Sequence, residues 1–157
     1  MNSYNNSYNR NSGYNRNNST YSSKPAQTYK KPEPLNKTDY VDRAEKIIKE
    51  HIDNNPRKCI TTNKIRNILT LMTELYNMAR ADNNNQLNEK TLSHIKYLKM
   101  KLVYESGRED SVKDFINCSG LLVHLDSIKN NKEELMLVCH YTEALVAYHK
   151  YYAPKER

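Results

Sequence analysis

From residue 39 onward, apolar residues recur every three or four positions, the period of helices that bury one face. The first such stretch runs from about Asp39 to Asp53, with Val41, Ala44, Ile47 and Ile48 on one side. Pro56 ends it, because proline lacks the amide hydrogen a helix interior needs. A second helix is predicted from about Thr62 to Ala81. Ile65, Ile68, Leu69, Met72, Leu75, Tyr76 and Ala79 form its buried face, and Arg66, Thr70, Thr73 and Asn77 its polar face. After an Asn83-Asn84-Asn85 loop, a third runs from about Asn88 to Ser106, with Asn88 as N-cap and Gly107 at the left-handed terminating position. Its apolar arc is Leu92, Ile95, Leu98, Leu102 and Val103. Lys99 falls inside that arc: it snorkels at the edge, or this face meets a partner, or it pairs with an internal carboxylate such as Glu143 or Glu105. A fourth helical region covers about Asp110 to Lys129, with Ser119-Gly120 a candidate break.

Asn131, with Glu134 three residues on, has the form of a capping box for the last helix, about Lys132 to Tyr152. That helix is apolar on two sides. Leu135, Val138, Cys139, Leu145 and Val146 take one, and Leu137, Tyr141, Ala144, Tyr148 and Tyr151 the other. A helix with two apolar sides belongs at the centre of a fold. With no period-2 run anywhere, the expected fold is all-α: a compact bundle of about five helices around a central C-terminal helix, spanning residues 37–157.

Residues 1–36 differ in kind. Asn2-Ser3-Tyr4-Asn5 recurs as Asn6-Ser7-Tyr8-Asn9 and, with a glycine inserted, as Asn11-Ser12-Gly13-Tyr14-Asn15. With almost no aliphatic residues, this segment buries too little surface to offset its ordering entropy, so a disordered tail is expected. Pro25, Pro32 and Pro34 extend it as a linker. Its tyrosines with Arg10, Arg16, Lys24, Lys30 and Lys31 also suit an accessory RNA-binding arm.

The net charge of +7 fits an anionic partner, and its distribution says more than its sum. Residues 1–36 hold 5 basic and 1 acidic residue, whereas residues 37–157 hold 20 and 17. Within the latter, residues 57–113 hold 11 and 6, so the middle helices carry the excess. Two windows lack acids altogether: Asn54–Thr73, with Arg57, Lys58, Lys64 and Arg66, and Lys90–Tyr104, with Lys90, His94, Lys96, Lys99 and Lys101. Tyr97, Lys101, Tyr104 and Arg108 recur at i, i+4, i+7 and i+11, one stripe of a helix. Alternating aromatic and cationic side chains suit phosphates and unpaired bases.

Signals for catalysis are poor. The five histidines (His51, His94, His124, His140, His149) form no H-x-x-x-H pair. Cys118, His124, Cys139 and His140 match no zinc spacing, and adjacent Cys139 and His140 point to different sides of a helix. The three glycines are isolated, so no phosphate-cradling loop exists. Glu105 with Glu109, and Asp110 with Asp114, are i, i+4 pairs of a kind common on helix surfaces. The three cysteines are an odd count behind no signal peptide, which predicts free thiols in a reducing cytoplasm. No apolar run reaches the roughly 20 residues that span a bilayer. No cofactor and no metal are expected.

Several segments carry a resemblance. They are Lys64-Ile65-Arg66-Asn67-Ile68-Leu69 after the pair Thr61-Thr62, Tyr97-Leu98-Lys99, Val103-Tyr104-Glu105-Ser106-Gly107-Arg108-Glu109, Val112-Lys113, and Glu143-Ala144-Leu145-Val146-Ala147-Tyr148. In this order and spacing the chain from about Thr38 to Tyr152 resembles the small subunit of type III-A CRISPR-Cas effector complexes, the Csm small subunit. The resemblance implies a five-helix, non-enzymatic domain that stacks in several copies inside an antiviral ribonucleoprotein. Its partners would be crRNA and target RNA, the large signalling subunit, the backbone subunits and other copies of itself. RNA cleavage would belong to the backbone subunit, and DNA cleavage and cyclic oligoadenylate synthesis to the large subunit. Matched residue by residue, the RNA-facing candidates are Lys64, Arg66, Lys101, Arg108 and Lys113; helical patterning by itself also nominates Arg66, Lys101 and Arg108.

The chain departs from the family pattern at Ser106, where alanine is usual. It departs again at Lys101, where arginine is frequent and would grip phosphate in two-pronged fashion. Ala153-Pro154 lacks a glycine often found there, and the Asn/Ser/Tyr tail lies outside the pattern. The expected function is a non-catalytic, cytoplasmic RNA-binding subunit that contacts the backbone of the crRNA–target path. The alternative is a stand-alone helical protein binding single-stranded nucleic acid.

Overall fold

The computed structural model describes residues 31–54, 56 and 59–153. The tail through residue 30, Arg57, Lys58 and Pro154 lie outside the described residues. The described chain is all-α. Its helices are α1 (Tyr40–Asn54), α2 (Thr62–Ala81), α3 (Glu89–Arg108), α4 (Asp110–Ser119), α5 (Leu121–Ser127) and α6 (Lys132–Tyr152).

The helix starts follow local chemistry. Thr61 caps α2 by accepting from the Lys64 amide, and Asn88 caps α3 by accepting from the Thr91 amide. Asn131 caps α6, but it accepts from Glu133 N rather than from the amide of Glu134. The Glu134 carboxylate takes the Lys129 amide instead, outside the helix. The reciprocal half of the expected capping box is therefore absent.

α6 is the central helix. It packs on α1, α2 and α5, while α3 packs on α2, α4 and α5. Leu135, Val138, Cys139, Tyr141, Thr142, Leu145 and His149 are buried along its length. Two of its polar side chains find backbone partners inside the core. The Tyr141 hydroxyl donates to Ser119 O at 2.8 Å, and His149 Nε2 lies 2.8 Å from Ile60 O. Tyr151 departs from the expected apolar side. It is 79% exposed on the last turn, its ring edge-on to Tyr152. α1 is rotated slightly from expectation too: Val41 is exposed, and His51 and Ile52 are buried beside Ala44 and Ile48.

One glycine departs from its expected role and another keeps it. Gly107 is helical within α3 and has open space where a side chain would project. Gly120 adopts φ +65°, the left-handed conformation that glycine reaches without strain, and turns the chain from α4 into α5. The helical region predicted from about Asp110 to Lys129 is thus two helices, parted at the candidate break Ser119-Gly120. A side chain at Gly120 would meet Pro32 Cγ at 2.5 Å, so the linker end lies directly over this turn. Arg43 secures the same linker by donating to the carbonyls of Pro34 and Glu33.

The loops are tied to one another. Gln86 and Asn131 form an isolated antiparallel bridge, and Lys132 N donates to Asn85 O at 2.9 Å. Lys99 makes an ion pair with Asp126, joining α3 to α5. Neither Glu143 nor Glu105 is its partner, because the carboxylate it meets lies on a helix that Gly120 reorients.

Gly120→Ala should lower unfolding free energy by about 1–2 kcal/mol, the cost of a left-handed alanine. Gly107→Ala should raise it by about 0.5–1 kcal/mol, as expected inside a helix. Urea denaturation of the pair measures these opposite signs.

His124 is buried against the Tyr141 ring, and its Nε2 has no hydrogen-bond partner. Burial, with Arg43 nearby, pulls its pKa down from 6.5 to about 4. Burial also lowers that of His51. Between those values the unfolded chain binds protons that the folded chain refuses, so stability rises with pH there. Urea midpoints should fall between about pH 7 and about pH 4.5, and less steeply in His124→Phe.

Candidate nucleic-acid interface

α2 and α3 lie side by side, which brings the two acid-free windows of the sequence together. Between them opens a groove of about 550 Å³. Lys64, Lys101 and Arg108 line it, with Tyr104, Asn67, Thr70 and Glu105. Three of the five predicted residues therefore share one concavity. Arg66 is exposed on the outer, polar face of α2, among Thr70, Thr73 and Asn77. Lys113 is exposed on α4. Neither Arg66 nor Lys113 lines the groove.

The stripe on α3 faces outward as the spacing requires. Tyr97 is 46% and Tyr104 62% exposed, and Met100 and Val103 are exposed with them. Val103 therefore does not belong to the buried arc, which narrows to Ile95, Leu98 and Leu102. The cations stand over the aromatic faces. Lys101 Nζ lies 4.9 Å from the Tyr97 ring centre and Arg108 Cζ 5.4 Å from that of Tyr104. This keeps the rings oriented and the positive charge beside them.

Two carboxylates, Glu105 in the groove and Glu109 beside it, meet these cations. Lys64 Nζ is 2.7 Å from Glu109 Oε2 and 3.8 Å from Glu105 Oε2. Arg108 Nη1 is 3.2 Å from Glu105 Oε1. The Lys64 ammonium, helped by the Ser111 hydroxyl, holds the Glu109 carboxyl below the usual carboxylate range. In the sequence, Glu105 and Glu109 look like any surface i, i+4 pair. Their role comes from Lys64, which reaches them from a different helix.

One further pair was not legible in the spacing. Cys59 Sγ lies 3.2 Å from His149 Nε2. The same nitrogen lies against Ile60 O, and the imidazole is 2% exposed. Burial raises the Cys59 thiol and pushes those of Cys118 and Cys139 up to about 12, away from the thiolate a nucleophile needs. Cys139 donates to Met72 O, while His140 turns toward the rings of Tyr40 and Tyr76. Among the described residues, no three His, Cys, Asp or Glu side chains are grouped to hold a metal ion. No described helix is long and apolar enough to cross a membrane.

Fold and site together define a small all-helical protein with a cation-lined, tyrosine-edged groove. Comparison with known proteins makes this specific: residues 35–155 match the family described as Csm2 Type III-A, and the chain belongs to that family. The chain is 37% identical over 123 residues to the CRISPR system Cms protein Csm2 of Streptococcus thermophilus, covering 78% of this chain and 98% of the relative. It is 38% identical over 98 residues to the protein of that name in Mycobacterium tuberculosis, covering 62% of this chain and 79% of the relative. With the Enterococcus italicus protein of that name, identity is 40% over 95 residues, or 59% and 68% of the two chains.

Tyr97→Ala and Tyr104→Ala should each change stability by no more than about 0.5 kcal/mol, as for other exposed positions. Leu98→Ala, one residue from the stripe and 1% exposed, should cost about 2–5 kcal/mol. Chemical denaturation of the three variants tests which face of α3 is free.

Proposed function

We propose that this chain is a non-catalytic RNA-binding subunit of a type III-A CRISPR ribonucleoprotein that acts in antiviral defence. It lines the path of crRNA and target RNA by contacting backbone phosphates. The observation that carries this reading is the α2–α3 groove, where Lys64, Lys101 and Arg108 converge beside exposed tyrosines. Cations on a backbone-facing surface grip any sequence, as a subunit that must accept every guide requires. Tyr97 and Tyr104 offer flat faces to unpaired bases. Arg66 and Lys113, exposed outside the groove, add to the positive surface.

Family membership supports the assembly part of the reading, since the relatives are named as proteins of a CRISPR system. The partners are then the large signalling subunit, the repeating backbone subunits and further copies of this chain, in the cytoplasm. Burial of the Cys118 and Cys139 thiols, which opposes ionisation, speaks against a nucleophilic role for these two cysteines. The basic tail, residues 1–36, acts as an accessory arm to the helical domain of residues 37–157.

Purification of the tagged chain from its native cell tests the assembly. Co-purification with a set of larger subunits and one short RNA of defined length is the expected result. Arrival alone, or with heterogeneous RNA, would replace this reading with a free-standing nucleic-acid binder. In the assembled particle, Arg66→Glu with Arg108→Glu should leave the circular dichroism spectrum unchanged. Target-RNA capture should weaken at least about tenfold, as for the loss of two charge-assisted contacts. Unfolding of the double variant would mean that these arginines are structural.

A further inference from the structure

Two of the three cations in the groove are already engaged. Lys64 is held by Glu109, with Glu105 close behind, and Arg108 is held by Glu105. Lys101 differs, for it makes no ion pair among the described residues and stands over the Tyr97 ring. The carboxylate oxygens meet the ammonium and guanidinium at the distances phosphate oxygens would take. Glu109 is anchored independently of Lys64. It sits at the α3–α4 junction, and the Ser111 hydroxyl donates to its other oxygen at 2.8 Å.

We infer that Glu105 and Glu109 are a built-in competitor for phosphate: they occupy Lys64 and Arg108 in the free subunit and give them up when RNA enters the groove. This inference rests on the groove being the RNA-facing surface. Exposed ion pairs are individually weak, so the exchange of carboxylate for phosphate is nearly balanced. Each carboxylate uncovered by the exchange takes up a counterion, which offsets part of the counterion release that drives RNA binding. The isolated subunit therefore holds stray RNA poorly. RNA already positioned by neighbouring subunits is presented at high effective concentration, and there the exchange proceeds. The carboxylates make the site selective for RNA held in place without reading its sequence.

The test is binding of a single-stranded RNA oligonucleotide to the full chain, followed by fluorescence anisotropy across a salt series. Glu105→Gln with Glu109→Gln keeps side-chain size and an acceptor for Ser111 while removing both charges. The double variant should bind about tenfold more tightly at low salt, the release of two weak exposed pairs and their repulsion toward phosphate. Its plot of log affinity against log salt should steepen by about one to two units, one for each carboxylate that no longer recruits a counterion. Lys101→Glu is measured in parallel. If Lys101→Glu weakens binding but the glutamine variant gains neither affinity nor slope, the carboxylates only brace the α3–α4 junction and the inference falls. If Lys101→Glu binds as the unsubstituted chain does, the groove is not the RNA surface and the underlying reading falls with it. Should the double variant unfold, Glu105→Gln alone, which leaves the Glu109–Ser111 contact intact, decides by the same two readouts.

Discussion

A helix that is apolar on two sides must be covered on two sides, and α6 imposes that requirement on the whole chain. α1 and α2 cover it, with α5 against a further part of its surface. The requirement extends to polar atoms. Tyr141 and His149 bring a hydroxyl and an imidazole into the core, and each meets a backbone oxygen there, Ser119 O and Ile60 O. A buried polar group without a partner would cost about 1–3 kcal/mol, so these contacts constrain where the α4–α5 turn and the strand of chain before α2 can lie. With α2 fixed against α6, a flank of α2 packs on α3 and leaves its polar face exposed. The groove follows as the crease between two helices that the core has set in place.

The groove illustrates how a basic surface is controlled by geometry rather than by net charge. Its cations are held over tyrosine rings or against carboxylates, so each is oriented before any ligand arrives. Pre-orientation reduces the side-chain entropy lost on binding. Neutralisation acts in the opposite direction, because an occupied cation must first be released. Both effects suit the proposed function, in which RNA arrives from neighbouring subunits rather than from solution.

Elsewhere in the chain one close contact joins two reactive side chains. The Cys59–His149 contact has the distance of a nucleophile–base pair, yet burial raises the thiol and a carbonyl shares the imidazole nitrogen. Distance by itself would mislead there; desolvation decides the matter, since it opposes the thiolate. The imidazoles of His51, His124 and His149 are buried in the core, and desolvation lowers the pKa of the first two.

Much of this was legible in the sequence, because helix formation is local. The spacing of Ile65, Ile68, Met72, Leu75 and Ala79 defines a buried face of α2 regardless of what covers it, and Thr61 and Asn88 cap their helices through bonds within a few residues. The outward stripe of Tyr97, Lys101, Tyr104 and Arg108 follows from the same period. Pairings between helices were not legible, since period carries no information about which carboxylate a lysine meets. Lys99 pairs with Asp126 only because Gly120 turns α5 toward α3, and Lys64 finds Glu105 and Glu109 only because α2 lies beside the end of α3. The break at Gly120 was legible, whereas Gly107, expected to end α3, continues it, since a glycine can do either. The sequence by itself determined which faces are apolar and which cations are exposed. The tertiary structure decided which of those cations share a groove and which are already held, because only packing sets distances between residues far apart in the chain.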